Sequence, residues 1–219
     1  MDLYDVMRTT PAVRDFTSDP LPDETLHRIL DNARFAPSGG NRQGTRVIVV
    51  RDQESRERLA ELNLPAARRY VAQMKAGQSP FNPLEPPLPT PEEIAATEVG
   101  ERFTSPVLTA GAVLVVCVDL RVVAAMDQDL DRIGLISGAS VYPLVWNVLL
   151  AARNEGFGGT ITTMAVAQEP AVKELLGIPE EYAVAAVLPL GKPAQEVTKL
   201  KRNPVEEFVT RERFDGPTF

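Results

Sequence analysis

Ala112-Val113-Leu114-Val115-Val116-Cys117-Val118 is an apolar, largely β-branched run with no polar residue inside it. A strand with one wet face alternates, so a run without alternation predicts a central strand buried on both faces. That need for cover on two sides constrains the chain more than any other feature. The run stops at Asp119, well short of the roughly 20 apolar residues of a membrane-spanning helix. With 219 residues, 44% apolar and 24% charged, the composition is that of one large globular domain or a domain with an appendage. A chain of this length can bury on the order of 70% of its unfolded surface.

Several chemistries are excluded early. One cysteine, Cys117, and one histidine, His27, rule out a disulfide framework and leave no zinc site of the usual nitrogen and sulfur kind. Ser-His-Asp catalysis is equally poorly supplied. A net charge of −7 and a pI near 4.9 argue against a nucleic-acid partner. The acidic start, Met1 to Asp5, lacks the basic-then-apolar layout of a secretory signal, and with the lone thiol it predicts a cytoplasmic protein with no membrane association. Charge is uneven, however. Residues 1–70 hold 11 Arg against 11 acidic side chains, so the acidic excess lies beyond them and the first third is the better receiver of an anion.

Helical spacing of Leu3, Val6 and Met7 after Asp2 predicts a first helix ending near Thr9 and Pro11. Pro22-Asp23-Glu24 opens a second, whose stripe of Leu26, Ile29, Leu30 and Ala33 runs into the breaker Ala36-Pro37-Ser38-Gly39-Gly40. Strands are predicted over 46–50, 112–118 and 182–190, with a short strand or loop at 158–163. Further helices are read at 52–62, 140–153 and 169–176, the last with Pro170 at its first position. Six of the 19 prolines fall between Pro80 and Pro91, in a stretch of neither period, which marks an irregular excursion within 64–105 of the lid-forming kind. After Pro193 the tail turns polar, yet Val205, Phe208 and Phe214 predict that it packs on something, a second subunit being the natural candidate.

Chemistry concentrates in three flexible polar segments: residues 8–16, residues 36–43 and residues 156–163. A fourth, Lys199-Leu200-Lys201-Arg202-Asn203-Pro204, is basic inside the acidic part. Glycines let a backbone approach a flat ligand, Thr and Asn serve an amide-like edge, and Arg forks bind phosphate. The set suits a planar, phosphorylated cofactor better than a metal or a covalent nucleophile. Neither a Gly-x-Gly-x-x-Gly turn after a strand nor a Gly-x-x-x-x-Gly-Lys-Ser/Thr loop occurs. Taken singly, Arg8, Arg14 and Arg202 read as surface arginines, Ser38 to Asn41 as a helix cap and turn, and His27 as a surface residue. Cys117 reads as an inert buried thiol, and Trp146 as core or dimer packing. If 158–163 is a strand, Thr160 and Thr162 share one face and Thr163 takes the other.

In this order the segments resemble the FMN-dependent nitroreductase superfamily, whose members carry an Arg-Arg-Ser-x-Arg-x-Phe-like start and an Ala-Pro-Ser-x-x-Asn-x-Gln-like turn. The strongest likeness is Leu176-Gly177-Ile178-Pro179 through Leu188-Pro189-Leu190-Gly191-Lys192-Pro193, followed by Lys201-Arg202-Asn203-Pro204. The resemblance as a whole spans about 1–60 and 135–215, and Ala36-Pro37-Ser38-Gly39 with Thr162-Thr163 is most similar to the branch that includes iodotyrosine deiodinases. The resemblance implies a single α+β domain over 1–219, a sandwich with a central mixed, mainly antiparallel sheet flanked by helices. It also implies an interlaced homodimer holding FMN at the interface, a variable lid at 64–105 and a C-terminal extension, 194–219, packed on the partner.

Carried over by position, Arg14 falls near the flavin pyrimidine, Ser38 and Gly39 at the ring, Asn41 and Gln43 at its polar edge, Thr162 and Thr163 on the N5 side, and Arg202 at the phosphate. Thr10, Pro11 and Ala12 stand where the family has Arg-Arg-Ser, which leaves Arg8 and the Thr10 hydroxyl as candidate phosphate contacts. The implied activity is an oxidoreductase without a catalytic side chain. NADH or NADPH reduces FMN, which then reduces a small-molecule acceptor such as a nitroaromatic or quinone by ping-pong kinetics. A reductive dehalogenase-like enzyme and a non-catalytic flavin-binding protein are the alternatives. The acid, tyrosine and lysine with which the deiodinases grip substrate are not recognisable in 61–105.

Overall fold

The computed structural model describes residues 1–219. Its elements are α1 (Leu3–Thr9), α2 (Asp23–Ala33), β1 (Thr45–Val50), α3 (Gln53–Leu62), α4 (Leu64–Lys75), α5 (Pro91–Ala95), α6 (Ser105–Thr109), β2 (Ala112–Asp119), α7 (Tyr142–Asn154), β3 (Gly158–Gly159), α8 (Glu169–Leu176) and β4 (Tyr182–Gly191). Four strands form one sheet in the order β1-β2-β4-β3. Every pairing between these strands is antiparallel, and the only parallel contact is an isolated bridge from Ala12 to Gly159. This is the α+β sandwich expected from the sequence.

All eight residues of β2 are buried, as the unbroken apolar run requires. Ala112, Leu114, Val116 and Val118 face Leu26 and Ile29 of α2 and Val145, Val148 and Leu149 of α7. Val113, Val115 and Cys117 face the opposite way, onto Leu59 of α3, Val107 of α6 and Val172 of α8. Both sides are therefore dry, and each fully buried Leu, Ile or Val contributes about 1.5–3 kcal/mol from removal of its apolar surface from water. Burial pushes the Cys117 thiol up to about 11, with Glu169 adding to the shift, so it stays neutral and inert at ordinary pH.

Between Val116 and Cys117 the register with β4 slips by one residue. Ala185 lies at that slip, and its carbonyl accepts from the Tyr142 hydroxyl at 3.3 Å, so the bulge leaves no stranded acceptor. On α3, Arg56 is buried and donates to the carbonyls of Ala110 at 2.7 Å and Gly111 at 3.3 Å, fixing α3 to the corner where α6 enters β2. No helix of the chain is long and apolar enough to cross a membrane.

Pro80 to Thr90 holds only turns, as the cluster of prolines requires, while α4 occupies the start of the 64–105 segment through Lys75. Of the two readings of Trp146, core or dimer packing, its 40% exposure removes the core of this chain.

Candidate functional site

Residues 12–17 run along the open side of β3. Val13 N–H donates to the Gly159 carbonyl at 2.8 Å and Thr17 N–H to the Lys192 carbonyl at 2.9 Å. This close approach requires glycine. A Cβ on Gly158 would meet the Val13 side chain at 2.7 Å, and one on Gly159 would collide with the Pro189 carbonyl. With Val13 turned inward and buried, Arg14 is turned the other way, into a cavity of about 410 Å³.

The floor of that cavity is Thr160 to Met164. Gly158 pairs with Gly191 and Gly159 with Leu190, and Thr162 with Val187 in the same antiparallel register. The ladder is interrupted between them because Pro189 has no N–H to give. Burial follows the expected alternation: Thr160 is buried and Thr162 half-buried, while Ile161 and Thr163 are exposed. The roof comes from the excursion. Tyr70 and Met74 of α4, Arg102 and Phe103 line it, and Asn63 Nδ2 donates to the Phe103 carbonyl at 2.9 Å. The Tyr70 and Phe103 rings stand edge-on, 6.0 Å apart at 62°, and the Arg102 guanidinium lies 4.7 Å from the Phe103 ring centre.

No Asp, Glu, Lys or His lines the cavity, and neither Arg14 nor Arg102 has an ion-pair partner in the chain. Two unneutralised guanidinium groups in one concavity make an anion receiver. None of the roof residues was identified from the sequence, and their spacing gives no signal, because Asn63, Tyr70 and Arg102 come together only through the α4 fold.

The Ser38 turn lies elsewhere. Gly39 N–H donates to Ser140 Oγ at 3.0 Å, Gln43 N–H to Ser38 Oγ at 3.0 Å and Arg42 Nη1 to the Val122 carbonyl at 3.3 Å, and the Gly44 carbonyl accepts from Asp119 N–H at 2.9 Å. Asn41 at φ 54° and Gln43 at φ 50° join Gly40 in the left-handed region, a backbone cost of roughly 1 kcal/mol or more for each non-glycine residue. Asp119 is paired with Tyr182, five residues along β4 from Val187 and on the far side of the sheet from Thr162. At strand spacings the turn and the Arg14 cavity are therefore on the order of 20 Å apart.

The phosphate candidates divide. Thr10 is buried and its hydroxyl donates to the Val6 carbonyl at 2.6 Å, closing the last turn of α1. Its proton is committed, which corrects the expectation that it serves a phosphate. Pro11 has no N–H, and Ala12 is exposed without a donor side chain. Arg8 is exposed beside the Tyr4 ring at 5.9 Å, and Arg202 is exposed with its guanidinium on the Lys201 carbonyl at 2.8 Å. Neither is ion-paired.

A family model described as "Nitroreductase family" matches residues 7–192. The chain is 31% identical to an NADH dehydrogenase of Thermus thermophilus over 90% of each chain. It is 25% identical to an NADPH-flavin oxidoreductase of Vibrio harveyi, over 93% of this chain and 70% of that one. Among solved structures, oxidized iodotyrosine deiodinase bound to FMN and 3-iodo-L-tyrosine superimposes with a TM-score of 0.70 at 23% identity, covering 97% of this chain and all of that one. The NADPH:FMN oxidoreductase of Vibrio harveyi complexed with NAD+ gives 0.68 at 24% identity, covering 96% and 77%. At these identities the structural likenesses speak for the fold.

Proposed function

The chain belongs to the nitroreductase family, and from that premise we propose that it is an FMN-dependent NAD(P)H oxidoreductase acting as a homodimer on a small-molecule acceptor. One observation supports the reading: the residues that suit the flavin lie in two separate places on the chain. Arg14 with Thr162 and Thr163 lines one cavity, and the Ser38 turn stands across the sheet from it, too far for one ring to touch both. A second copy brings its turn to the first copy's cavity, and the mixed donor set becomes one site.

The donor chemistry fits the group. Arg14 supplies a fixed cation where the pyrimidine of a flavin gathers negative charge, and its lack of a carboxylate partner leaves that charge undiminished. Thr162 and Thr163 offer hydroxyls on the N5 side, Ser38 and Gly39 face the ring, and the left-handed backbone at Asn41 and Gln43 presents polar groups at its edge. Arg8 and Arg202 take the phosphate, by charge alone, in place of the absent Arg-Arg-Ser. The chemistry that bound FMN would supply is acceptance of a hydride from NAD(P)H and delivery of the electrons to the acceptor in a second half-reaction. No side chain has to act as acid or base, which suits a chain whose single histidine, His27, is exposed on α2.

The purified protein, supplied with FMN, is expected to be yellow and dimeric, and to bleach on anaerobic addition of NADH or NADPH and recover with a quinone or nitroaromatic. A colourless monomer that ignores added FMN would sink the reading. Stoichiometric FMN with reduction no faster than that of free FMN would leave only a flavin-binding protein.

A further inference from the structure

We propose that Arg102 selects flat, anionic acceptors, an aromatic carboxylate being the simplest, by pairing with the anion under the roof of the Arg14 cavity. The inference rests on the reading above, in which Arg14 is engaged by the flavin and the acceptor lies between the ring and the roof.

Arg102 is then the one remaining charge on the cavity wall. No carboxylate on that wall neutralises it, and it has no ion pair anywhere in the chain. The guanidinium lies over the Phe103 ring, 4.7 Å from its centre. The Arg102 side chain makes no hydrogen bond or ion pair in the chain, so its N–H groups are available to a bidentate carboxylate. The turn that carries it is held in place: the Phe103 carbonyl accepts from Asn63 at 2.9 Å, and Thr104 Oγ1 donates to the Glu101 carbonyl at 3.1 Å. Tyr70 and Phe103, edge-on at 6.0 Å, and the thioether of Met74 make the same wall aromatic and adaptable, which suits a ring more than an aliphatic chain. An ammonium group, by contrast, finds no acid on the lining, so an amino-acid zwitterion gains the carboxylate contact and loses the desolvation cost of its amine.

With 4-nitrobenzoate as the probe, NAD(P)H surrenders a hydride and becomes NAD(P)+. The nitro group takes those two electrons with two protons, one from the hydride and one from solvent. One N–O bond breaks, its oxygen leaves as water, and 4-nitrosobenzoate is the product.

The test uses the flavin-loaded dimer, its loading read from the visible spectrum before any ligand is added. Benzoate and benzamide, both redox-inert, are titrated by calorimetry, and kcat/KM is measured for 4-nitrobenzoate and 4-nitrobenzamide, in the wild type, Arg102→Gln and Arg102→Lys. Benzoate is expected to bind about tenfold more tightly than benzamide, as for a charge-assisted hydrogen bond made in a cavity. The nitrobenzoate preference should fall roughly tenfold in Arg102→Gln, chiefly through KM, with part of it kept in Arg102→Lys. Equal binding of the two ligands by the wild type, or a preference untouched by Arg102→Gln, overturns the proposal. So does a loss confined to NADPH relative to NADH, which would assign Arg102 to the nucleotide's 2′-phosphate. Failure to load FMN at all overturns the underlying reading instead, and is seen at the first step.

Discussion

Arg14 and Arg102 show how far single residues can be read. Arg14 was legible because it sits two residues before Phe16 in a segment of recognisable order. Arg102 was not, because a lone arginine after a glutamate has no periodic partner and gains meaning only when α4 folds Tyr70 over it. Thr10 shows the opposite error, in which a hydroxyl counted as a ligand turns out to be consumed by the helix that precedes it. If Arg14 compensates charge on the flavin, Arg14→Gln should lower the midpoint potential of the bound cofactor by about 40 mV, the two-electron equivalent of roughly 2 kcal/mol. Spectroelectrochemical titration of the two proteins measures this, and an unchanged potential would place Arg14 in a purely structural role.

α2, with its strong helical period, and β2, an unbroken apolar run closed by Asp119, follow directly from the sequence. α4 does not, because its buried positions are Ala66, Ala67, Ala72 and Gln73, small or polar residues that draw no stripe of large apolar side chains; Pro65 near its start was the available clue. The segment between β2 and α7 is organised by one carboxylate. Asp127 is buried and accepts from Leu135 N–H at 2.7 Å and from Arg132 at 2.7 Å. The Leu135 N–H first, and the Arg132 guanidinium after it, hold its carboxyl below the usual aspartate range. The folded value therefore lies under the unfolded one of about 3.9. The stabilisation is complete above that value and disappears as pH falls through the folded one. Hydrogen-exchange protection at Leu135 and Ile136 should accordingly drop as the pH falls below about 4 while the β2 amides stay protected, and Asp127→Asn should show the loosened loop at neutral pH. Protection that does not change on acidification would disprove it.

At the scale of the molecule, cover on both sides of β2 was foreseeable from its apolar run, and the sandwich from the family resemblance, but the outer surface was not. Tyr142 and Trp146 on α7 and Leu3, Tyr4 and Met7 on α1 are each 40% or more exposed, on elements that pack against one another. Trp146 was readable as core or interface from its helical position alone, and only its exposure decides against the core of this chain. If that face is where two copies meet, Trp146→Glu forces a charge into a dry contact and should weaken the dimer at least about a hundredfold. Light scattering would report monomers, and FMN should wash out with the loss of the second half-site. A dimer that survives the change would move the interface elsewhere.

The strand at the centre has one more effect, exerted before the fold exists. Ala112 pairs with Leu190 and Val118 with Thr45, so β2 must wait for segments some seventy residues away on either side, and distant partners are slow to arrive. Until they do, an uncharged, β-branched heptad without proline is open to neighbouring chains, the signature of a cross-β seed. Overproduction at high temperature should therefore divert this protein into inclusion bodies, through the same seven residues that later form the driest part of its interior.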